Sequence, residues 1–273
     1  MAIADVNGVQ LFYEAVGAGP PTLVMHGGLG VDHTLYRSLD PLAAGLQLIY
    51  YDHRGNGRSS RPDEAELTME SWADDAAALA RHVAGPDRVV VIGHSFGGFI
   101  AQETAIRHGD AVRALILVAT TPGQLGVCEV PAPEGPPMPD EFAKLLREMP
   151  ATDDDVAMGM ARLAPAYLHA VPAEWLTSLM AETVFSATAM RRGFEELATW
   201  SVADRLAGVD IPTLVIAGRH DAFTSWPQAD RIAARLPHAE VVVFERSGHF
   251  PWIEEPDSFF DTITRWLKAH DIQ

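Results

Sequence analysis

Cys128 is the only cysteine among the 273 residues. An intrachain disulfide is therefore excluded, as is a thiolate-rich zinc centre, which needs several such ligands. Cys128 sits in a Pro-rich stretch with no histidine nearby in sequence, and it reads as an inert filler rather than a nucleophile. Positive charge is also scarce: 20 Lys and Arg stand against 37 Asp and Glu, for a formal net charge of −17. Nucleic acid and anionic membrane surfaces repel such a chain, so neither is expected as a partner. Long apolar runs are missing too. Stretches such as Ala114 to Ala119 are far too short to span a bilayer. The opening MAIADVNGVQ has no basic region leading into an apolar run, so no export signal is expected and the cytoplasm is the expected location.

What is present is an alternation of short β-rich runs and longer helical patterns. Strands are expected at Val9–Ala15, Thr22–Met25, Leu46–Tyr51, Arg88–Ile92, Ala114–Val118, Thr213–Ala217 and Glu240–Phe244. Helices are expected at Thr68–Ala84, Phe99–His108, Gln228–Leu236 and Asp257–Ala269. Several strands are continuously apolar, as when helices cover both faces of a mostly parallel sheet. The fold class is α/β, with residues 1–121 and 208–273 as its core. Residues 122–207 interrupt the alternation with a Pro-rich opening and then helix, which marks a helical cap insertion. Met138, Met149, Met158, Met160, Met180 and Met190 all fall there. Most are expected to fill the insertion's own core, with an adaptable apolar pocket lining as the alternative.

Residues 93–98 read GHSFGG, directly after the apolar run Val89–Ile92 and just before a helix. A strand-to-helix turn this tight leaves no room for bulky neighbours, which accounts for Gly93 and Gly97 and raises the Ser95 hydroxyl above the sheet. Serine needs a base, and the base an orienting acid. Asp221, in the GRHDAF that follows Thr213–Ala217, and His249, in the ERSGHFPW that follows Val241–Phe244, lie in the expected order on strand-exit loops. Asp204 and Asp230 are weaker candidates for the acid, because one precedes its strand and the other falls within a helical pattern. An oxyanion requires two N–H donors. Phe96, directly after the serine, supplies one. Gly28 of HGGLG (His26–Gly30) supplies the second, with Gly27 next in line, while His26 serves to tie that loop down. No metal or other cofactor is called for.

HGGLG, YDHRGNGRS (Tyr51–Ser59), GHSFGG, the Asp221 loop and SGH (Ser247–His249) together resemble the α/β-hydrolase family over nearly the full chain. The resemblance implies a serine hydrolase with a structural D-x-R-G-x-G-x-S segment and a cap at 122–207. Ser95 stands where the family's dehalogenases and epoxide hydrolases carry aspartate, which points to acyl transfer to water instead. HGGLG with the D-x-R-G segment is similar to proline iminopeptidases, whose usual pattern is HGGPG with a G-G-S-W-G elbow. The elbow found here resembles that of carboxylesterases and lactonases. The expected substrate is a small, neutral, partly apolar ester or lactone, and a homodimer is left open. Carbon–carbon bond hydrolases and a non-catalytic ligand sensor rank below these readings. The acidic residues of the cap are expected to form a solvated surface, with Glu195 or Glu196 facing the pocket to receive a substrate amine as the alternative.

Overall fold

The computed structural model describes residues 1–123 and 137–272, and Cys128 with most of the Pro-rich stretch lies outside them. Eight strands form one sheet: β1 (Ala2–Val6), β2 (Val9–Val16), β3 (Pro21–Met25), β4 (Gln47–Tyr51), β5 (Val89–His94), β6 (Val112–Val118), β7 (Thr213–Gly218) and β8 (Ala239–Phe244). Their order is β1-β2-β4-β3-β5-β6-β7-β8. Strand β2 is antiparallel to both β1 and β4, and every other pairing is parallel. The helices are α1 (Met69–Ala84), α2 (Phe96–Arg107), α3 (Asp140–Arg147), α4 (Asp153–Tyr167), α5 (Ala173–Leu179), α6 (Ala187–Leu197), α7 (Pro227–Ala233), α8 (Pro251–Glu254) and α9 (Pro256–Ala269).

The continuous apolar strands follow from burial on both faces. Along β5, Val89 and Val91 enter one core, while Val90 and Ile92 enter the other. The first core is closed by Trp72, Ala76 and Leu79 of α1 and by Ile100 and Ala105 of α2. The second is closed by Phe259, Ile263 and Trp266 of α9, together with Leu35, Leu39 and Leu42. Those leucines belong to a 3-10 run, Thr34–Ala44, that carries Pro41. The sequence reading passed over it although Leu35, Leu39 and Leu42 recur at helical spacing, and Pro41 interrupts the pattern. Strand β1 was missed for another reason. It is an edge strand with one buried residue, Ala4, and so has no apolar run. Thr68 caps α1 through a reciprocal bond with Ser71, which starts the helix one residue later than expected.

The parallel strands place the exits of β3, β5, β7 and β8 along one edge of the sheet, the edge where open α/β sheets bind ligands. Helices α3 to α6 stand between β6 and β7, and among the described residues of 122–207 no β-strand forms. A single bridge, Gly123 to Ser201, joins the two ends of that segment. No described helix is long and apolar enough to cross a membrane.

Candidate active site

Ser95 follows β5 directly and stands at the N-cap of α2 with φ 52° and ψ −117°. A non-glycine residue with positive φ is strained, and here the surroundings fix it. The Ser95 N–H donates to Val118 O (2.9 Å), and Ser95 O accepts from Gly98 N (2.9 Å) and Thr120 Oγ1 (2.9 Å). The three neighbouring glycines each answer a close approach. A Cβ on Gly93 would lie 2.6 Å from Gly97 O, one on Gly98 would lie 2.6 Å from Thr120 Cβ, and one on Gly97 would overlap the Met25 carbonyl. The elbow is thus wedged between the ends of β3 and β6.

Asp221 and His249 leave the neighbouring strands β7 and β8. Gly218 lets the two exits approach, because any side chain there would overlap the backbone of Gly248. The His249 Nδ1–H donates to Asp221 Oδ2 at 2.7 Å. The other carboxylate oxygen accepts from Phe223 N (2.8 Å) and Thr224 N (3.1 Å), and Thr224 Oγ1 donates to Oδ2 at 2.6 Å. Burial raises the Asp221 pKa, but the His249 charge and these hydrogen bonds outweigh it and hold the carboxyl at about 2. With Nδ1 committed to Asp221, the neutral ring presents its Nε2 lone pair elsewhere. Ser95 and His249 line the same cavity, although among the described residues no hydrogen bond joins the Ser95 hydroxyl to the ring.

Of the two loop glycines, Gly27 has its N–H committed to Tyr36 Oη at 2.6 Å. Neither Gly28 nor Phe96 N–H meets an acceptor among the described residues, and both residues line the cavity beside Ser95. Both nitrogens of His26 are engaged, Nδ1 with Gly27 O (3.0 Å) and Nε2 with His53 N (3.2 Å). The D-x-R-G segment is knitted into the scaffold: Arg54 forms two 2.6 Å bonds to Asp75, and Ser59 Oγ donates to Asp52 O at 2.6 Å. Asp204 and Asp230 are exposed and line neither part of the cavity.

The cavity has two lobes that share Gly28, Ser95, Met160, Tyr167 and His249. One lobe is walled by Leu29, Phe99, Phe142, Phe194 and Phe223. The other reaches Leu35, Leu176 and Met180, with Asp32 and Thr183 among its polar residues. Asp32 accepts from Thr34 N (3.0 Å), Val184 N (3.1 Å) and Arg58 (3.1 Å). Thr183 Oγ1 is buried without a partner among the described residues.

One alternative fails and one expectation needs correction. Glu195 and Glu196 do not face the cavity. Both pair with Arg192, and Glu196 also accepts from Met69 N (3.1 Å) at the start of α1. Nor do most of the methionines fill a separate core, since Met138, Met160, Met180 and Met190 line the cavity. Met160 and Met190 belong to the same apolar core as residues of the sheet, so they pack onto the site and not into a layer of their own. Tyr36, Thr224 and Tyr167 were missed by the sequence reading. Only Thr224 left a signal there, as a hydroxyl three residues past an aspartate on a loop.

A model described as the alpha/beta hydrolase fold matches residues 20–256. A proline iminopeptidase of Levilactobacillus brevis is 30% identical, aligned over 96% of this chain and 94% of its own. The structure is similar to an esterase from Exiguobacterium antarcticum, with a TM-score of 0.80, 22% identity and coverage of 96% and 97% of the two chains. It is likewise similar to the enol-lactonase from Burkholderia xenovorans LB400, with a TM-score of 0.78, 22% identity and coverage of 98% and 100%. With the sheet topology and the match over most of its length, the chain belongs to the α/β-hydrolase family of hydrolases.

Proposed function

We propose that the protein is a serine hydrolase that cleaves small, neutral, partly apolar carboxylic esters or lactones through an acyl-enzyme intermediate. The observation that carries this reading is the two-lobed cavity, apolar on both sides, with Ser95 and His249 at the waist the lobes share. In this reading Ser95 Oγ attacks the carbonyl carbon while His249 Nε2 takes its proton. Gly28 and Phe96 donate to the oxyanion, aided by the positive end of α2. His249 then protonates the departing alkoxide, and water repeats the sequence on the acyl-enzyme. Asp221 holds the ring in the Nδ1–H form. Helices α3 to α6, which supply Phe142, Met160, Leu176 and Phe194 to the walls, act as the cap that keeps bulk water from the reacting bond.

The relatives named proline iminopeptidases support a second reading, release of N-terminal proline. An aminopeptidase has to hold a cationic amine, which needs a carboxylate with lone pairs to spare. Among the described lining residues the only carboxylate is Asp32, whose charge is already paired with Arg58 and which also accepts two backbone N–H groups. Leu29 also stands where HGGPG would have proline. Its side chain packs against Gly193 of α6 and helps to wall the apolar lobe. An uncharged substrate fits these walls better, and the unpartnered Thr183 hydroxyl offers one hydrogen bond to a carbonyl or ether oxygen.

The test compares kcat/KM on p-nitrophenyl butyrate, a γ-lactone and proline p-nitroanilide. An amine leaves only when protonated in place, so a poorly held anilide loses on the order of 10² or more. The better of the ester and the lactone is expected to exceed the anilide by at least that factor. An anilide turned over fastest would replace this reading with the aminopeptidase one.

Asp221, held at about 2, stays ionised across neutral pH, so the ring keeps its Nδ1 partner there.

A further inference from the structure

We propose that Tyr36 and His94 form a positioning bridge that holds the oxyanion loop and His249 in register about Ser95. The proposal rests on the acyl-transfer reading given above. His94 is the residue before the serine in G-x-S-x-G, a position at which the pattern accepts any residue. Here it is buried, as is Tyr36. Three hydrogen bonds run in series: Gly27 N to Tyr36 Oη at 2.6 Å, Tyr36 Oη to His94 Nδ1 at 2.6 Å, and His94 Nε2 to His249 O at 2.8 Å.

The chemistry of the end groups allows one proton arrangement. The carbonyl of His249 can only accept, so His94 Nε2 carries the hydrogen. In the neutral ring Nδ1 is then an acceptor, and Tyr36 must donate to it. Gly27 N–H can only donate, and the tyrosine oxygen takes it with a lone pair. Every donor along the chain meets an acceptor. Burial, with the neighbouring charge of His249, holds the His94 ring well below the usual imidazole range, so this arrangement persists across neutral pH. Packing restrains the ring further. Phe250 and Trp252 lie against it with centroids at 4.9 Å and 4.8 Å.

The bridge matters because of what its two ends do. At one end, fixing Gly27 N–H sets the tilt of the loop whose next N–H, that of Gly28, is the second oxyanion donor. The loop is pressed onto the elbow there, since a Cβ on Gly27 would lie 2.8 Å from both His94 Nδ1 and Ser95 Cβ. At the other end, the backbone of His249 is held at O by His94 and at N by Tyr167 O (2.8 Å). The residue beside the nucleophile thus ties the base and the oxyanion donor, which leave different strands, to one imidazole. A misplacement of about 1 Å in such a site costs on the order of 10² in rate.

Tyr36→Phe keeps the ring and its packing and removes only the oxygen that links Gly27 to His94. On p-nitrophenyl butyrate it is expected to lower kcat by roughly 10- to 100-fold while KM changes by less than about 3-fold. Affinity for a boronic acid that forms a tetrahedral adduct on serine should fall by the same factor as kcat/KM, because the adduct needs the same donors. Wild-type protein is carried alongside and treated with a fluorophosphonate to label Ser95. If wild type takes no label and cleaves no ester, the acyl-transfer reading falls and the bridge falls with it. If wild type is active and labelled while Tyr36→Phe matches it in kcat and in boronate affinity, the bridge alone is overturned. A variant with a lower Tm but unchanged kcat overturns it as well, by making Tyr36 structural. A raised KM at constant kcat does so by making Tyr36 a substrate contact.

Discussion

Ser95→Ala and His249→Ala are each expected to lower kcat by about 10⁴- to 10⁶-fold, and the double variant is expected to be little worse than either. A serine without its base is barely nucleophilic, and a base without the serine has no proton to take, so each change disables the same step. What survives is the contribution of the Gly28 and Phe96 donors and of the cavity, which neither change touches. The fold should persist in both variants. Alanine has the same Cβ as serine at φ 52°, and the bonds that fix the elbow all come from the Ser95 backbone or from neighbours. His249 is likewise held by its main chain, through Tyr167 and His94. Rates on p-nitrophenyl butyrate, read beside Tm and fluorophosphonate labelling, check this. Losses that multiply in the double variant mean that the two residues act in separate steps. Labelling of some residue other than Ser95 removes the nucleophile assignment outright.

Much of this site could be read from the chain because its chemistry depends on local patterns. GHSFGG carries its own reason for three glycines, and the loops after Thr213–Ala217 and Val241–Phe244 lie at the ends of strands whose apolar runs are unmistakable. What could not be read depends on contacts distant in sequence. Tyr36 lies in a 3-10 run, and its partners are Gly27 and His94, the latter 58 residues away. Glu196 is likewise tied to Met69 N, 127 residues away, a contact that no spacing within its own helix records. The methionines of the helical segment posed a similar problem. Whether a flexible thioether fills its own layer or a neighbouring cavity depends on what that layer packs against, and the spacing of residues does not record it. The edge strand β1 was silent because only one of its five residues is buried.

Asp221→Asn is expected to reduce kcat by about 10³- to 10⁴-fold while leaving the fold intact, and the reason lies in the hydrogen bonds around the carboxylate. Asp221 Oδ1 accepts two backbone N–H groups, from Phe223 and Thr224, and only an oxygen can do that. The asparagine oxygen must therefore take that position, which turns the NH₂ toward His249 Nδ1. An amide hydrogen aimed at Nδ1 requires the ring to accept there, so its own hydrogen moves to Nε2. That nitrogen then has no lone pair for the serine proton, and the imidazolium that forms during attack loses its compensating charge. Thr224 Oγ1, which donates to Oδ2 at 2.6 Å, can rotate to accept instead, so the substitution strands no buried group. A large kinetic loss with little change in Tm is the expected combination. Asp204→Asn and Asp230→Asn, both at exposed positions away from the cavity, are expected to change kcat by less than about 2-fold. Measuring kcat/KM and Tm for the three variants side by side decides the matter. If either surface change proves the more damaging, the orienting acid is not Asp221, and the tautomer argument built on its hydrogen bonds fails with it.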